Sequence, residues 1–315
     1  MSSAGNSLVV PVYRNATTIP RLVEAVAGIS ERLGGDLEVV FVVDGSPDHS
    51  RELLLERLLA TGLAARVVEH SRNFGSFAAI RTGMSLARGE RIAVMAADLQ
   101  EPPELVLEFL QRLSNEDLDV VAGERSSRDD RGDTASGIYW RLYRRFVMQD
   151  IPASGVDVFA CTATVRDVIC GMESVHTSLV AQLFWVGFRR SMVPYDRLPS
   201  TEPSGWTFSR KLRYLSDSVF AFTDLPVRVL WMVGVVGMTL GVLVGAIVLG
   251  ARIAGAITVP GYAATILILL FFASLNLIGL GIIGSYVWRA YETAKGRPGA
   301  VIRDVVELDG ENVRD

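Results

Sequence analysis

The stretch that decides the fold is RIAVMAADLQEPPELVLEFLQRL, residues 91–113. It opens with an apolar run over residues 91–96, which has the length of a buried β-strand, and closes with apolar residues at helical spacing over residues 103–113. Pro103 suits the first turn of a helix, where its missing N–H needs no partner, and Glu104 lies at the positive end of the helix dipole. The stretch therefore predicts a strand, a polar turn and a helix.

The same pattern recurs on both sides of this stretch. Short, valine-rich strands are predicted at residues 8–12, 37–43, 64–68 and 119–122, and helices at residues 19–33, 51–59 and 77–87. Strands that alternate with helices predict an α/β fold, in which helices cover both faces of a mostly parallel sheet.

Polar residues cluster directly after four of these strands, in PVYRN (11–15), VVDGSPDHS (42–50), SRNFG (71–75) and AADLQ (96–100). Ligands of open α/β sheets bind beyond the carboxyl ends of the strands, so we expect the binding site there. Asp44 can accept hydrogen bonds from a base or a ribose, although an Asx-type turn would use the same residue. The N–H groups of SRNFG can help to hold an anion, and the same letters also suit a plain turn.

The last cluster carries the clearest chemistry. Asp98 and Gln100 offer carboxylate and amide oxygens just past a strand, and Mg²⁺ or Mn²⁺ takes oxygen ligands, with phosphates and water completing the shell. An exposed acidic turn is the competing interpretation.

Two uncharged runs follow, of 23 residues (229–251) and 36 residues (253–288). A helix needs roughly 20 apolar residues to cross a bilayer. The second run is too long for one crossing and contains the turn signal Pro260-Gly261. We therefore expect crossings at residues 229–250 and 262–288, which put both ends of the pair on one side.

Charge predicts the orientation. Residues 1–6 contain no basic residue and the next apolar run stops at Pro11, so no signal peptide is visible. Basic residues precede the first crossing and follow the second, whereas the loop between them holds only Arg252. The prediction is a multi-pass protein of the cell membrane with its large domain and both termini in the cytoplasm. Cys161 and Cys170 should then be buried free thiols. The net charge of −4 excludes a strongly basic nucleic-acid binder.

Two further segments have two interpretations each. The polar stretch 123–137 is either a solvated loop or a lid over the site. Residues 207–222 form an amphipathic helical pattern with Phe208, Leu212 and Leu215 on one face, which suits a helix lying in the membrane interface or one that packs on a core.

Glycine motifs lie in the apolar runs. Gly237, Gly241 and Gly245 make two GxxxG steps that would let another helix approach, within one chain or in a homo-oligomer. Residues 279–284 satisfy GxGxxG, but no strand precedes them, so helix packing explains them better than a dinucleotide site.

The segment before the first crossing suits a lipid phosphate. Arg197 and Lys211 attract an anion, the Ser204 hydroxyl can donate to a phosphate oxygen, and Trp206 prefers the headgroup level. The competing interpretation is that Arg210 and Lys211 only contact anionic headgroups.

The ordered motifs PVYRN, VVDGSPDHS, RNFGSFAAIRTG and AADLQEPPE resemble the catalytic domain of family-2 glycosyltransferases of the GT-A fold. SGVDVF, VPYDRLPSTEPSGWTFSRKL and ETAKGRP, together with the two crossings, resemble the polyprenyl-phosphate branch, which is similar to dolichyl-phosphate mannose synthase and bactoprenol glucosyltransferase. The resemblance covers residues 8–298.

The resemblance implies roles for individual residues. By this resemblance, Asp98 and Gln100 would bind the metal, and Arg125 and Arg197 would contact the phosphates. Asp157 would lie near the reaction centre. The nucleotide-sugar donor is assigned to Pro11, Tyr13, Asn15, Asp44, Asn73 and Asp98. The chain departs from the family at Ala96 and Val43, where carboxylates or Asn are usual, and in SGVDVF.

The resulting expectation is an inverting transfer of a sugar from a nucleotide-sugar to a polyprenyl phosphate such as undecaprenyl or dolichyl phosphate. Residues 1–200 would form the GT-A domain, 201–226 a juxtamembrane segment, 227–288 the crossings and 289–315 a cytosolic tail. A hydroxyl acceptor, which would need a general base, and a donor-binding pseudo-enzyme, suggested by Ala96, remain alternatives.

Overall fold

A computed structural model describes residues 5–126, 152, 156–172, 179–198, 225–254, 261–309 and 312–314. The chain divides into two compact units. The first comprises Met1–Lys211 and Pro298–Asp315, and the second comprises Leu212–Arg297. The first unit is an α/β domain, and the second is helical.

The described part of the α/β unit contains nine strands: β1 (Asn6–Val12), β2 (Glu38–Val43), β3 (Ala65–His70), β4 (Arg91–Val94), β5 (Val120–Arg125), β6 (Phe159–Thr162), β7 (Arg190–Tyr195), β8 (Ile302–Asp309) and β9 (Asn312–Arg314). They form one sheet in the order β7-β5-β6-β4-β1-β2-β3-β8-β9. The helices are α1 (Ile19–Arg32), α2 (Ser50–Leu59), α3 (Ser76–Leu86), α4 (Glu104–Asn115), α5 (Ala163–Gly171) and α6 (Leu179–Trp185).

The sheet is mostly parallel, as predicted. Only β6 and β8 run against the other strands of the described sheet. The inner strand β2 is buried on both faces, because every residue from Val39 to Val43 is at most 1% exposed. Helices α1 and α4 bury apolar residues at helical spacing, such as Leu22, Val26 and Ile29 in α1. The predicted α/β class is therefore confirmed.

Strands β6 to β9 were not predicted from the sequence. Strand β6 lies antiparallel between β4 and β5, with Phe159 opposite Val94. Strand β8, which follows the helical unit in the chain, pairs antiparallel with β3, with Val306 opposite Val67. Part of the expected tail, residues 289–315, thus belongs to the sheet.

The helical unit contains α7 (Leu225–Ile253) and α8 (Tyr262–Ala294). In the described part of the chain, one helical segment, Phe271–Tyr291 of α8, is long and apolar enough to cross a membrane. A Cβ atom at Gly279 would lie 3.4 Å from the Leu230 side chain of α7, so this glycine of the GxGxxG pattern lies at a helix contact. A Cβ atom at Gly237 would meet no atom within 4 Å.

Candidate active site

The topology brings the polar clusters to one edge of the sheet. Strands β1 to β5 and β7 all end at this edge, where they lead into Tyr13, Asp44, the 71–75 loop, Asp98, Arg125 and Arg197. Strand β6 runs the opposite way and begins there, so Asp157, two residues before it, reaches the same edge. Predicted residues from distant parts of the sequence therefore meet in one region.

Asp44 joins the second cluster to the third. Its Oδ1 accepts a hydrogen bond from the Phe74 N–H at 2.8 Å and lies 2.8 Å from Nδ1 of His70, and its Oδ2 accepts from the Gly75 N–H at 2.7 Å. The residue is only 2% exposed. Asp44 is thus a buried clamp on the 71–75 loop, and any nucleoside contact would have to share oxygens that protein donors already occupy.

A glycine permits the close approach of these two loops. Gly45 has a φ of +56°, which few L-residues adopt, and a Cβ atom there would lie 2.3 Å from the carbonyl carbon of Arg72. At the mouth of the loop the Arg72 guanidinium lies 4.0 Å from the Phe74 ring centroid, and Asn73 is exposed.

The loop after β1 is held by the loop after β2. The Arg14 N–H donates to Ser46 Oγ at 2.8 Å, and the Ala16 N–H donates to Asp48 Oδ2 at 3.1 Å. Burial alone would raise the pKa of Asp48, but hydrogen bonds from Ser46, Ser50 and two backbone N–H groups outweigh it and lower that pKa.

Within the first cluster, the Asn15 side chain accepts the Tyr13 N–H at 2.9 Å. The Tyr13 ring is 40% exposed, and Pro11 is half-buried on β1. Tyr13 therefore presents an aromatic surface at the edge, whereas Asn15 shapes the loop.

Asp98 lies in a turn of unusual backbone conformation. Leu99 has a φ of +53°, which is uncommon for a residue other than glycine, and the Gln100 N–H donates to Asp98 Oδ1 at 3.2 Å. Asp98 and Gln100 are both partly exposed. Strained conformations of this kind are frequent at functional sites.

This turn fits a divalent cation that a substrate also coordinates. Asp98 Oδ2 and the Gln100 amide oxygen are hard ligands. No group of three His, Cys, Asp or Glu side chains suited to a metal occurs in the residues for which coordinates are described. Mg²⁺ sites commonly take one or two protein ligands, with substrate phosphates and water completing the shell, and Asp98 and Gln100 could supply such a pair.

Beside Asp98, the structure assembles a cluster of charged side chains that we call the arginine–carboxylate cluster: Arg125, Asp157, Glu101, Arg197 and Tyr195. Arg125 forms an ion pair with Asp157 through Nη2 and Oδ2, and the Tyr195 hydroxyl lies 3.5 Å from the same oxygen. Arg197 Nε lies 3.4 Å from Glu101 Oε1.

Burial dominates the electrostatics of this cluster. It raises the pKa of Glu101 to about 7, aided by the negative charges of Asp157 and Asp98 and opposed by Arg197 and Arg125. Burial and the charge of Asp157 likewise raise the pKa of Tyr195 to about 12. The phenol therefore stays protonated at neutral pH.

The sequence analysis missed His70, Glu101 and Tyr195. Glu101 stood beside Gln100 in the predicted acidic turn, and His70 and Tyr195 each end a strand at the ligand-binding edge, which is the signal that could have found them. The predicted acceptor residues Ser204, Trp206 and Lys211 lie outside the described residues, as do the amphipathic helix and residues 127–137 of the polar stretch.

Comparisons with known proteins agree with this geometry. The model of the family "Glycosyl transferase family 2" matches residues 7–170, which contain β1 to β6 and the clusters that end them. The chain belongs to this family. It is a glycosyltransferase, and the resemblance seen in its motifs is confirmed.

Full-length relatives extend the likeness across the helical unit. The uncharacterized glycosyltransferase YkcC of Bacillus subtilis is 30% identical over 315 residues, covering 98% of this chain and 96% of the relative. An undecaprenyl-phosphate 4-deoxy-4-formamido-L-arabinose transferase of Pseudomonas paraeruginosa is 30% identical over 321 residues, covering 95% and 90%.

Among solved structures, a glucosyl-3-phosphoglycerate synthase of Mycobacterium tuberculosis, in complex with Mn²⁺, UDP and phosphoglyceric acid, has a TM-score of 0.50 and 16% identity. The match covers 69% of this chain and 78% of the synthase. At this identity the likeness supports the GT-A-like fold of the glycosyltransferase.

Proposed function

We propose that this glycosyltransferase transfers a sugar, with inversion, from a nucleotide-sugar to a polyprenyl phosphate. The observation that carries the proposal is the meeting of Asp98 with Arg125, Asp157 and Arg197 at one sheet edge, because transfer to a phosphate needs positive charge for two phosphate-bearing substrates. The name of the Pseudomonas paraeruginosa relative supports an undecaprenyl-phosphate acceptor.

The donor side of the proposal rests on the exposed groups around Asp44. Tyr13 offers an aromatic surface for a base, and Asn73 lies on the loop that Asp44 clamps. Asp98 and Gln100 would hold Mg²⁺ or Mn²⁺, and the Mn²⁺ in the synthase complex supports a divalent cation. The chemistry supplied by that cation is neutralisation of the charge that develops on the leaving diphosphate.

In the proposed reaction, an oxygen of the acceptor phosphate forms a bond to the anomeric carbon while the bond from that carbon to the donor diphosphate breaks. The nucleoside diphosphate leaves with the electron pair. A phosphate monoester has a second pKa near 6 and is largely ionised at neutral pH, so the acceptor needs no general base. This fits Asp157, whose carboxylate is already engaged by Arg125 and Tyr195 and therefore suits an orienting role.

The proposal places the protein in the cell membrane with two crossings, in α7 and α8. Strand β8 follows α8 and pairs with β3 within the α/β unit, so the chain leaves and re-enters the same folded unit. Because the whole α/β unit lies on one side of the membrane, the chain must cross the membrane an even number of times between leaving that unit and returning to it. Large apolar side chains of α7 such as Trp231 and Ile247 are exposed, which supports α7 as the partner of the crossing in α8. The basic flanks support a cytoplasmic site.

The decisive experiment is a transfer assay on the purified protein. Radiolabelled nucleotide-sugars, each with Mg²⁺ or Mn²⁺, are offered with undecaprenyl phosphate, with diacylglycerol or without acceptor. We expect a labelled lipid only with undecaprenyl phosphate. Label on diacylglycerol alone would support a hydroxyl acceptor instead. Binding of the donor with neither transfer to an acceptor nor hydrolysis of the donor would support a pseudo-enzyme.

A further inference from the structure

Glu101 is a buried carboxylate that the proposed chemistry leaves unused. It is 1% exposed, and neither of its side-chain oxygens has a hydrogen-bond partner among the residues that the structure describes. Its contact is the ion pair with Arg197, 3.4 Å from Oε1 to Nε. The backbone makes a second link, since the Leu198 N–H donates to the Gln100 carbonyl at 2.8 Å.

Burial separates Glu101 from direct ligand contact. An oxygen that binds a donor phosphate or its cation must be reachable before the ligand arrives, and both Glu101 oxygens are closed to solvent. The Arg197 side chain keeps 34% of its surface exposed. Among the residues that the structure describes, Arg197 is the ion-pair partner that links Glu101 to the ligand region, and its Nε faces the buried carboxylate.

Stability does not explain a carboxylate in this position. A buried carboxylate that accepts no hydrogen bond costs folding free energy when it ionises, and the nearby carboxylates of Asp98 and Asp157 add to that cost. A neutral side chain of the same shape would fold at least as well. The gain must therefore lie in what the charge does to Arg197.

We propose that Glu101 is a positioning residue that fixes the guanidinium of Arg197 for binding a phosphate group. The inference rests on the proposed function for the source of that phosphate, which is either the donor diphosphate or the acceptor lipid. A guanidinium group with one nitrogen already held by a carboxylate loses less conformational entropy when it binds a phosphate oxygen. Its affinity for the phosphate is therefore higher.

A double-mutant cycle on the full-length protein tests this role. Glu101→Gln keeps the shape and removes the charge, Arg197→Ala removes the guanidinium, and both are combined. Glu104→Gln is the matched control, since that glutamate lies three residues farther along the chain, at the start of α4, and its side chain is 64% exposed. Two probes separate the phosphate sources: calorimetry with Mn²⁺ and UDP or GDP, and binding of undecaprenyl phosphate in detergent micelles.

We expect Glu101→Gln and Arg197→Ala to weaken the same probe at least tenfold. Glu101→Gln should add less than twofold in the Arg197→Ala background, and its melting temperature should equal or exceed that of the wild type. The affected probe identifies the phosphate. The proposal would be overturned if the two substitutions weakened binding independently, so that the loss of affinity in the double variant equalled the product of the two single losses. It would also be overturned if Glu101→Gln lowered the melting temperature and left the binding of both probes unchanged. Because neither probe requires turnover, a wild type that binds normally and makes no glycolipid would count against the proposed function alone.

Discussion

The Nδ1 atom of His70 lies 2.8 Å from Oδ1 of Asp44, and its Nε2 atom lies 3.0 Å from the hydroxyl of Thr82. A carboxylate only accepts hydrogen bonds, so Nδ1 carries the proton and, in the neutral ring, Nε2 accepts from Thr82. The imidazole is fully buried. It therefore links α3 to the carboxylate that clamps the 71–75 loop.

His70→Leu should destabilise the protein and loosen this loop. Asp44 would lose one of its three donors inside the core, which we expect to cost about 2 kcal/mol and lower the melting temperature by roughly 4–8 °C. Thr82→Val is the control, because it removes only the outer hydrogen bond and should cost about half as much. An equal decrease of the melting temperature in both variants would show that the hydrogen bond between His70 and Asp44 contributes no more to stability than the one between His70 and Thr82.

Asp98→Asn should reduce transfer at least about a hundredfold while leaving the melting temperature unchanged, because replacing an anionic carboxylate with a neutral amide weakens binding of the cation and raises the barrier by roughly 3 kcal/mol or more. The rate is measured as a function of Mg²⁺ or Mn²⁺ concentration. Asp117→Asn is the control, since that carboxylate is 87% exposed on a surface turn. A wild-type rate for Asp98→Asn at limiting metal would remove Asp98 from the metal site.

The proposed topology, with two crossings and a cytoplasmic α/β unit, predicts the labelling of single cysteines. Ala256→Cys, in the loop between the crossings, should react with an impermeant maleimide from outside the cell, whereas Asp117→Cys should react only after permeabilisation. A reporter fused after Asp315 should be cytoplasmic. Loop labelling that requires permeabilisation would contradict the predicted orientation.

The labelling cysteines are introduced into a variant in which both native cysteines are replaced, Cys161→Ala and Cys170→Ala. Burial raises the pKa of Cys161 to about 12, so that thiol is protonated and unreactive. Cys170 is only half-buried, contrary to the prediction that both thiols are buried, and so needs replacement more than Cys161 does.

Asp48→Asn should make stability less dependent on pH in the acid range. The pKa of Asp48 is lower in the folded protein than its usual 3.8, so its carboxylate stabilises the fold above that value and loses the effect as pH falls through the folded pKa. At pH 7 the variant should be less stable by about 1–2 kcal/mol. The difference in melting temperature between the two proteins should narrow from pH 7 to pH 3; a constant difference would mean that the charge of Asp48 plays no part.

Arg197→Ala and Lys211→Ala should raise the KM for undecaprenyl phosphate in detergent free of anionic lipid, with donor binding unchanged. The reason is that both cations are proposed to contact the acceptor phosphate. An unchanged KM, with weaker binding to anionic vesicles only, would make these residues membrane anchors. If Arg197→Ala instead weakens the donor probe, Arg197 belongs to the donor diphosphate.

The parallel part of the fold could be predicted because its signals are local. Each valine-rich run and each helical pattern, such as residues 103–113, is complete within a short window, and the positions of β1 to β5 are confirmed. The meeting of Asp98 with Arg125, Asp157 and Arg197 followed from the resemblance, and the structure brings these four residues to one edge.

The rest depends on partners that are distant in sequence. Strand β6 has four residues and is recognisable only from its neighbours β4 and β5. Glu101 looked like one more acid in an exposed turn, and its ion-pair partner Arg197 lies 96 positions later in the chain. His70 had no visible role because Asp44 lies 26 residues away, just past the end of another strand.

The pairing of β8 with β3 also sets an order of events during synthesis. Ribosomes make β8 after both long helices, so the edge of β3 that β8 covers stays open until those helices have been made. If both helices cross a membrane as proposed, only a chain whose helices have inserted with both ends on one side can return β8 to that edge. A wrongly inserted chain would keep an open strand edge, the feature that invites aggregation and removal by cellular quality control.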